Sequence, residues 1–243
     1  MRTSIRRLVS LIDSAQAVAP RRALAAQRHH LKAQLRSLSA LRDIDVTRRF
    51  IASGAPANPS LVLLDQESRS RRAAIMAQAI QTLAKFDPQP LRESLAYTSN
   101  HLLGQSGECV KSDFVGLLDD TLSDIFKAQA RVSSDDLGSI HRLRIAFKRL
   151  RYTAEALPPL FVGFSKNDLD AMHRFHTLMG QIQDLTVIAA GIRSFGGSRN
   201  QAVRNELQPV LESIIAERNK LIAGLEPAAD QALDYWMKQA AIS

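Results

Sequence analysis

The sequence predicts an all-α protein. Nearly every long segment of the 243 residues spaces its apolar side chains with helical periodicity. No stretch sustains the period-two alternation and β-branched enrichment of a strand, and the interruptions fall at proline- and glycine-containing clusters. An apolar fraction of 45% is ordinary for a folded domain and argues against disorder.

The first helix is expected over residues 1–18. Arg2, Arg6 and Arg7 precede Leu8-Val9-Ser10-Leu11-Ile12, an apolar run too short for a secretion signal and stopped by Asp13, so cleavage after Ala15-Gln16-Ala17 is not expected. An Arg-rich organelle presequence is compatible with this composition. The second helix, 21–41, carries Arg21, Arg28, Lys32 and Arg36 at spacings of 7, 4 and 4, flanked by Arg22 and His29. Leu24, Leu31, Leu35 and Leu38 form its apolar side.

A short helix over 43–52 follows, with Asp43 read as its cap after a tight turn. Ser53-Gly54-Ala55-Pro56-Ala57-Asn58-Pro59 is a loop. Helices 61–86 and 89–103 are separated by Asp87-Pro88-Gln89-Pro90, with Pro88 at a helix-initiating position. Next come 108–131 and 136–157, the latter stopped by Pro158-Pro159. Helices 166–181 and 184–195 repeat the earlier pattern, with Asp184 in the capping role of Asp43 and Gly196-Gly197-Ser198 as the stop. Helices 199–223 and 227–241 complete the chain, the last anchored by Tyr235 and Trp236.

Charge narrows the function. Thirty-two Lys and Arg face 24 Asp and Glu, a formal net charge of +8. Residues 1–72 hold 14 basic and 5 acidic side chains, a net of +9; the remaining 171 hold 18 and 19, a net of −1. The basic field is therefore local and favours phosphate-rich partners. Cys109 is the single cysteine, which excludes an internal disulfide and a thiolate-rich zinc site and suits a reducing cytoplasm. No window approaches the ~18 apolar residues of a membrane span.

In the second half the basic field is concentrated in His141-Arg142-Leu143-Arg144-Ile145-Ala146-Phe147-Lys148-Arg149-Leu150-Arg151-Tyr152. On a helical wheel His141, Arg144, Lys148, Arg151, Tyr152 and Glu155 fall within an arc of roughly 100°. Leu143, Ala146, Phe147, Leu150, Ala154 and Leu157 lie opposite. A line of mutually repelling cations backed by an apolar stripe calls for a polyanion. Glu155, four residues after Arg151, reads as its ion-pair partner rather than a catalytic acid, and Asp13 as its counterpart.

Two segments recur. Arg2-Thr3-Ser4-Ile5-Arg6-Arg7-Leu8 echoes Arg144-Ile145-Ala146-Phe147-Lys148-Arg149-Leu150 at an offset of 142, matching Asp13 to Glu155. Ser39-Ala40-Leu41-Arg42-Asp43-Ile44-Asp45-Val46 echoes Gly180-Gln181-Ile182-Gln183-Asp184-Leu185-Thr186-Val187 at an offset of 141. The pattern predicts two tandem helical bundles related by a pseudo-twofold axis, with repeats over about 1–105 and 106–243.

At these residues the sequence resembles the CHAD family, the conserved-histidine α-helical domain. The second half carries its signature as His141-x-x-Arg144-x-x-x-Lys148-Arg149-x-Arg151-Tyr152-x-x-Glu155, followed by Met179-Gly180 through Asp184 and Val187. Arg42-Asp43-Ile44-Asp45-Val46 supplies the first-half counterpart of the second marker. The resemblance covers essentially the whole chain, residues 1–243, as one domain. It implies two four-helix-type bundles facing each other across a basic pore, and a module that binds inorganic polyphosphate rather than an enzyme, often found with polyphosphate granules or a polyphosphate-metabolising partner. The first repeat departs from the pattern. Its His would fall two positions before Met1, its leading helix has no counterpart, Val9 stands where Arg151 does, and Ser39 stands where Gly180 does. The chain is either a shortened member or one whose true start lies upstream.

The expected polyphosphate-binding set is Arg2, Arg6, Arg7, Arg21, Arg28, Lys32, Arg36, His141, Arg144, Lys148, Arg149, Arg151, Tyr152 and His173. Guanidinium forks match paired phosphate oxygens and Lys acts as a point charge. Cations at i, i+4 and i+7 rise about 5–6 Å per turn, comparable to two phosphate units. A polyanion would raise the His141 pKa and tighten binding towards pH 6. The alternative for His141 is a hydrogen-bonded residue at the bundle interface. His29-His30 and His173/His176 lack a same-face carboxylate or thiol, so neither a metal nor a cofactor is expected. Arg69, Arg71 and Arg72 read as an exposed helical turn. Nucleic acid is the rival ligand, weakened by an aromatic content of 5% and no base-stacking platform. A phosphohydrolase or kinase role lacks a phosphate-cradling glycine loop and clustered acids for Mg²⁺.

Overall fold

The computed structural model describes residues 2–53, 58–104, 107–133, 136–156 and 163–240. Loop residues 54–57, the Pro158-Pro159 stop with Leu157, Met1 and the Cys109 side chain lie outside the described residues. The described residues form nine helices and no strand: α1 (Arg2–Val18), α2 (Arg22–Ala52), α3 (Pro59–Ala84), α4 (Gln89–Leu103), α5 (Gly107–Gln129), α6 (Leu137–Ala156), α7 (Lys166–Gly197), α8 (Gln201–Ala223) and α9 (Leu225–Ala240).

Two expected helix breaks do not exist. Residues 21–41 and 43–52 form one helix, α2, and 166–181 and 184–195 form another, α7. Asp43 and Asp184 therefore sit inside helices, and the capping roles assigned to them are corrected. Neither junction contains Gly or Pro, so nothing forces a break. Instead the Arg42 guanidinium ion-pairs with Asp184 and donates to Asp43 at 3.2 Å, while Arg72 of α3 donates to Asp45 at 2.6 Å. Paired to α7 and α3, these polar residues keep α2 helical despite modest intrinsic propensity.

Other boundaries follow local chemistry. Asn58 caps α3, its side chain accepting from the Ser60 and Leu61 amides, with Pro59 in the first turn. Pro88 precedes α4 in helical geometry, and Asp87 accepts from the Gln89 amide at 2.9 Å. Asp136 opens α6: one carboxylate oxygen accepts from the Gly138 amide at 2.9 Å and the other from Arg142 at 2.7 Å. The Arg142 guanidinium, aided by these amides, holds the Asp136 carboxyl below its usual pKa. Asn200 caps α8 through the Val203 amide.

The chain divides into two compact units, each assembled from separated segments. One comprises residues 1–35, 86–177 and 226–243; the other comprises 36–85 and 178–225. In the first, four residues of the predicted apolar face of α6, Leu143, Phe147, Leu150 and Ala154, are buried, whereas Ala146 is half-buried in a cavity wall and Tyr152, expected on the cationic side, is buried. Phe147 meets Phe175 of α7 edge to face, with centroids 4.6 Å apart. Trp236, 4% exposed, packs with Tyr235 and Phe164, so these aromatics anchor α9 as read from the sequence.

In the second unit Val46, Leu61, Leu64, Ile188, Ile192, Phe195, Leu207, Val210 and Ile214 form one buried cluster. Its ion pairs bind helix to helix: Arg48 to Asp65 at 2.8 Å, Arg72 to Asp45, and Arg199 to Glu67. Arg69, expected as solvated surface, also holds Asp65 at 2.7 Å.

Candidate anion-binding site

Within the first unit, α1, α2, α5 and α6 enclose an open cavity of about 1040 Å³. Its cationic lining comes from Arg6 on α1, Arg28 and Lys32 on α2, Lys127 on α5, Arg131 just beyond it, and Arg142, Lys148 and Arg149 on α6. Eight cations face two lining carboxylates, Asp13 and Asp124, a formal excess of +6. Asp13 is already ion-paired with Arg28. Val9, Leu35, Ile145 and Ala146 contribute apolar wall.

Lys148 is the centre of this charge. Burial pushes its ammonium pKa down to about 8, and Arg6, Arg144, Lys32 and Arg151 push in the same direction. No carboxylate among the described residues lies within ion-pair distance of it. The Arg149 Nε is also buried without a hydrogen-bond partner among the described residues. Behind them, His176 of α7 is driven down to about 3, first by burial and then by Arg151, Arg144, Lys148 and His173. Its imidazole is neutral at any physiological pH.

Beside the cavity, the Glu155 carboxylate collects three partners. Arg151 Nη1 donates to its Oε1 at 2.6 Å, His173 Nε2 lies 2.8 Å from the same oxygen, and Arg7 Nη2 lies 3.7 Å from Oε2. The expected Arg151–Glu155 pair is present, joined by cations from α1 and α7.

A family model described as CHAD domain matches residues 1–193. The chain belongs to the CHAD domain family. It is similar to a solved structure, the crystal structure of the CHAD domain from the plant Ricinus communis, with a TM-score of 0.69 and 26% identity over 96% of this chain and 79% of that one. No curated protein matches the chain.

The CHAD signature residues divide between two places. Lys148, Arg149 and Tyr152 line the cavity, with Arg6, Arg28 and Lys32 from the first half. Arg144 and Arg151 stand close enough to Lys148 to repel its proton without being among the cavity's described lining residues. The cavity meets α6 along Arg142, Ile145, Ala146, Arg149 and Tyr152, with Lys148 at its edge, a stripe centred roughly 110° from the Arg144–Lys148–Arg151 line. Tyr152, 6% exposed, sits with its ring 4.5 Å from the Arg151 Cζ.

The remaining expected residues lie elsewhere. Arg7 and His173 are held on Glu155, and His141 is exposed in the first turns of α6. The Arg21 guanidinium lies over Tyr97, 3.3 Å from its ring centroid. Arg2 is partly buried on α1. Arg36, exposed on α2, belongs to the second unit.

Sequence reading missed Lys127, Arg131 and Arg142 in the cavity wall. Arg142 and Arg149 are seven residues apart, the spacing that should have marked a second cationic stripe. Among the described residues no group of three or more His, Cys, Asp or Glu side chains could hold a metal, and no helix is long and apolar enough to cross a membrane.

Proposed function

We propose that this CHAD domain binds inorganic polyphosphate as a recognition module rather than an enzyme, in the cytoplasm and in association with polyphosphate granules or a polyphosphate-metabolising enzyme. The observation that carries this reading is Lys148, an ammonium with no carboxylate partner among the described residues, repelled by four further cations beside a cavity of formal excess charge +6. Such an arrangement is electrostatically frustrated until an anion enters. Polyphosphate offers about one negative charge per unit and no bases to read. Arg142 and Arg149, about 10.5 Å apart along the helix axis, suit phosphates several units apart once Arg142 leaves Asp136, and Lys148, one residue from Arg149, reinforces that end of the stripe.

The two lining carboxylates do not resemble a catalytic pair, since Arg28 occupies Asp13. Two further cations of the expected set, Arg144 and Arg151, support the reading as a field around Lys148 that draws a long anion towards the cavity.

Calorimetric titration with polyphosphate of defined length, beside duplex DNA and ATP, tests the assignment. Polyphosphate should bind and displace DNA at equal phosphate concentration. Displacement of polyphosphate by DNA would favour the nucleic-acid reading, and release of inorganic phosphate in the presence of Mg²⁺ would make the protein an enzyme.

A further inference from the structure

The cavity presents an amine as well as a field. We propose that Lys148 Nζ is an acylation site, modified by acyl phosphates that the neighbouring cations draw into the cavity. This goes beyond polymer binding and needs only a small phosphate-bearing molecule to enter.

Three observations support it. The side chain is half-buried yet lines an open cavity of about 1040 Å³, so a small donor can reach it. No carboxylate among the described residues holds the ammonium. The groups that act on its charge are cationic or neutral: Arg6 on α1, Lys32 on α2, Arg144 and Arg151 on α6, and His176 on α7; α5 adds Lys127 and Asp124 to the cavity wall, and the α1 carboxylate there, Asp13, is taken by Arg28.

Only the unprotonated amine is nucleophilic. With its pKa near 8, about 10% of Lys148 is neutral at pH 7, against about 0.03% for an ordinary lysine. The less basic amine is intrinsically slower, by roughly tenfold if amines follow the sensitivity known for thiols. A net advantage on the order of twentyfold remains, before any recruitment of the donor.

The step balances without a further reactant. The neutral amine attacks the carbonyl carbon of the acyl phosphate and forms the C–N bond. The C–O bond to phosphorus's oxygen breaks, and inorganic phosphate leaves with its electron pair. The nitrogen then loses a proton to solvent, leaving a neutral amide. Arg6 and Lys32, which line the cavity and lie close enough to Lys148 to act on its charge, stabilise the departing phosphate as its charge develops.

The test is incubation of the full chain with acetyl phosphate, following each lysine by peptide mass spectrometry, with p-nitrophenyl acetate as a neutral donor in parallel. Lys148 should be acetylated at least tenfold faster than the exposed Lys85 and Lys220, its rate levelling off above pH 8. Its lead should be larger with acetyl phosphate than with the neutral ester, and millimolar inorganic phosphate should reduce only the former. Labelling of Lys148 no faster than Lys220 with acetyl phosphate overturns the proposal. A lead that is equal with both donors overturns the recruitment by cations.

Discussion

Arg151 and Glu155 are joined by a 2.6 Å hydrogen-bonded ion pair, one turn apart on α6 and both largely removed from solvent. The carboxylate is the counter-charge for a region otherwise rich in cations, because His173 and Arg7 approach it as well. Glu155→Gln should therefore lower stability by about 1–3 kcal/mol in denaturant unfolding, since Arg151 is left partly buried and uncompensated. Polyphosphate should restore part of that loss, and a variant as stable as the parent without ligand would contradict the counter-charge role.

Charge reversal at Arg144 together with Lys148 should abolish polyphosphate binding while helicity by circular dichroism is retained. Both side chains lie off the buried stripe formed by Leu143, Phe147 and Leu150, so the core is not altered. Unchanged affinity in calorimetry would remove these residues from the site.

The depressed Lys148 pKa makes two pH predictions of opposite sign. Without ligand, the unfolded chain holds the Lys148 proton up to about pH 10.5, whereas the folded chain releases it near 8. Between those values the unfolded state binds more protons, so this group's destabilising effect, complete below pH 8, fades as pH rises to 10.5. Polyphosphate affinity should do the reverse, falling above pH 8 as the charge is lost. Lys148→Met should remove both slopes, as read by denaturant unfolding and calorimetry across pH 7–10.

Ionic strength should weaken polyphosphate binding steeply, with the logarithm of affinity falling linearly against the logarithm of salt concentration. Arg149→Ala should reduce that slope by about one, since it deletes one cavity cation without touching the core. A flat salt response would contradict ionic recognition.

In the second unit, Asp184→Asn should cost no more than about 1 kcal/mol by weakening its partly exposed pair with Arg42, and leave polyphosphate affinity within twofold. Thermal unfolding and calorimetry on the same sample separate the two effects.

Much of this was written locally in the chain. The period of 3.6 in residues 141–156 marks Leu143, Phe147, Leu150 and Ala154 as the buried side of α6 but sets the buried Tyr152 among the cations, and the i,i+4 spacing marks Arg151–Glu155. What escaped is tertiary. The continuity of α2 through Arg42-Asp43-Ile44-Asp45 rests on Asp184 and Arg72, 142 and 27 residues from their partners, and a window of local propensity contains neither. The cavity escaped for a related reason. A helical wheel ranks faces by charge density, which selected Arg144, Lys148 and Arg151. The hollow lies where α1, α2 and α5 leave a gap; of that line it takes Lys148, keeps the expected Arg149, and adds Arg142, Lys127 and Arg131.

The family match ends at residue 193, but the architecture does not. Leu207, Val210 and Ile214 of α8 fill the same interior as Leu61 and Leu64, and Leu225, Ala229, Leu233 and Trp236 of α9 are equally hidden from water. A protein shortened to the matched boundary would uncover two greasy surfaces at once, and is expected to aggregate on expression. The interior of both units is thus closed only by helices that lie beyond the family model's last matched residue.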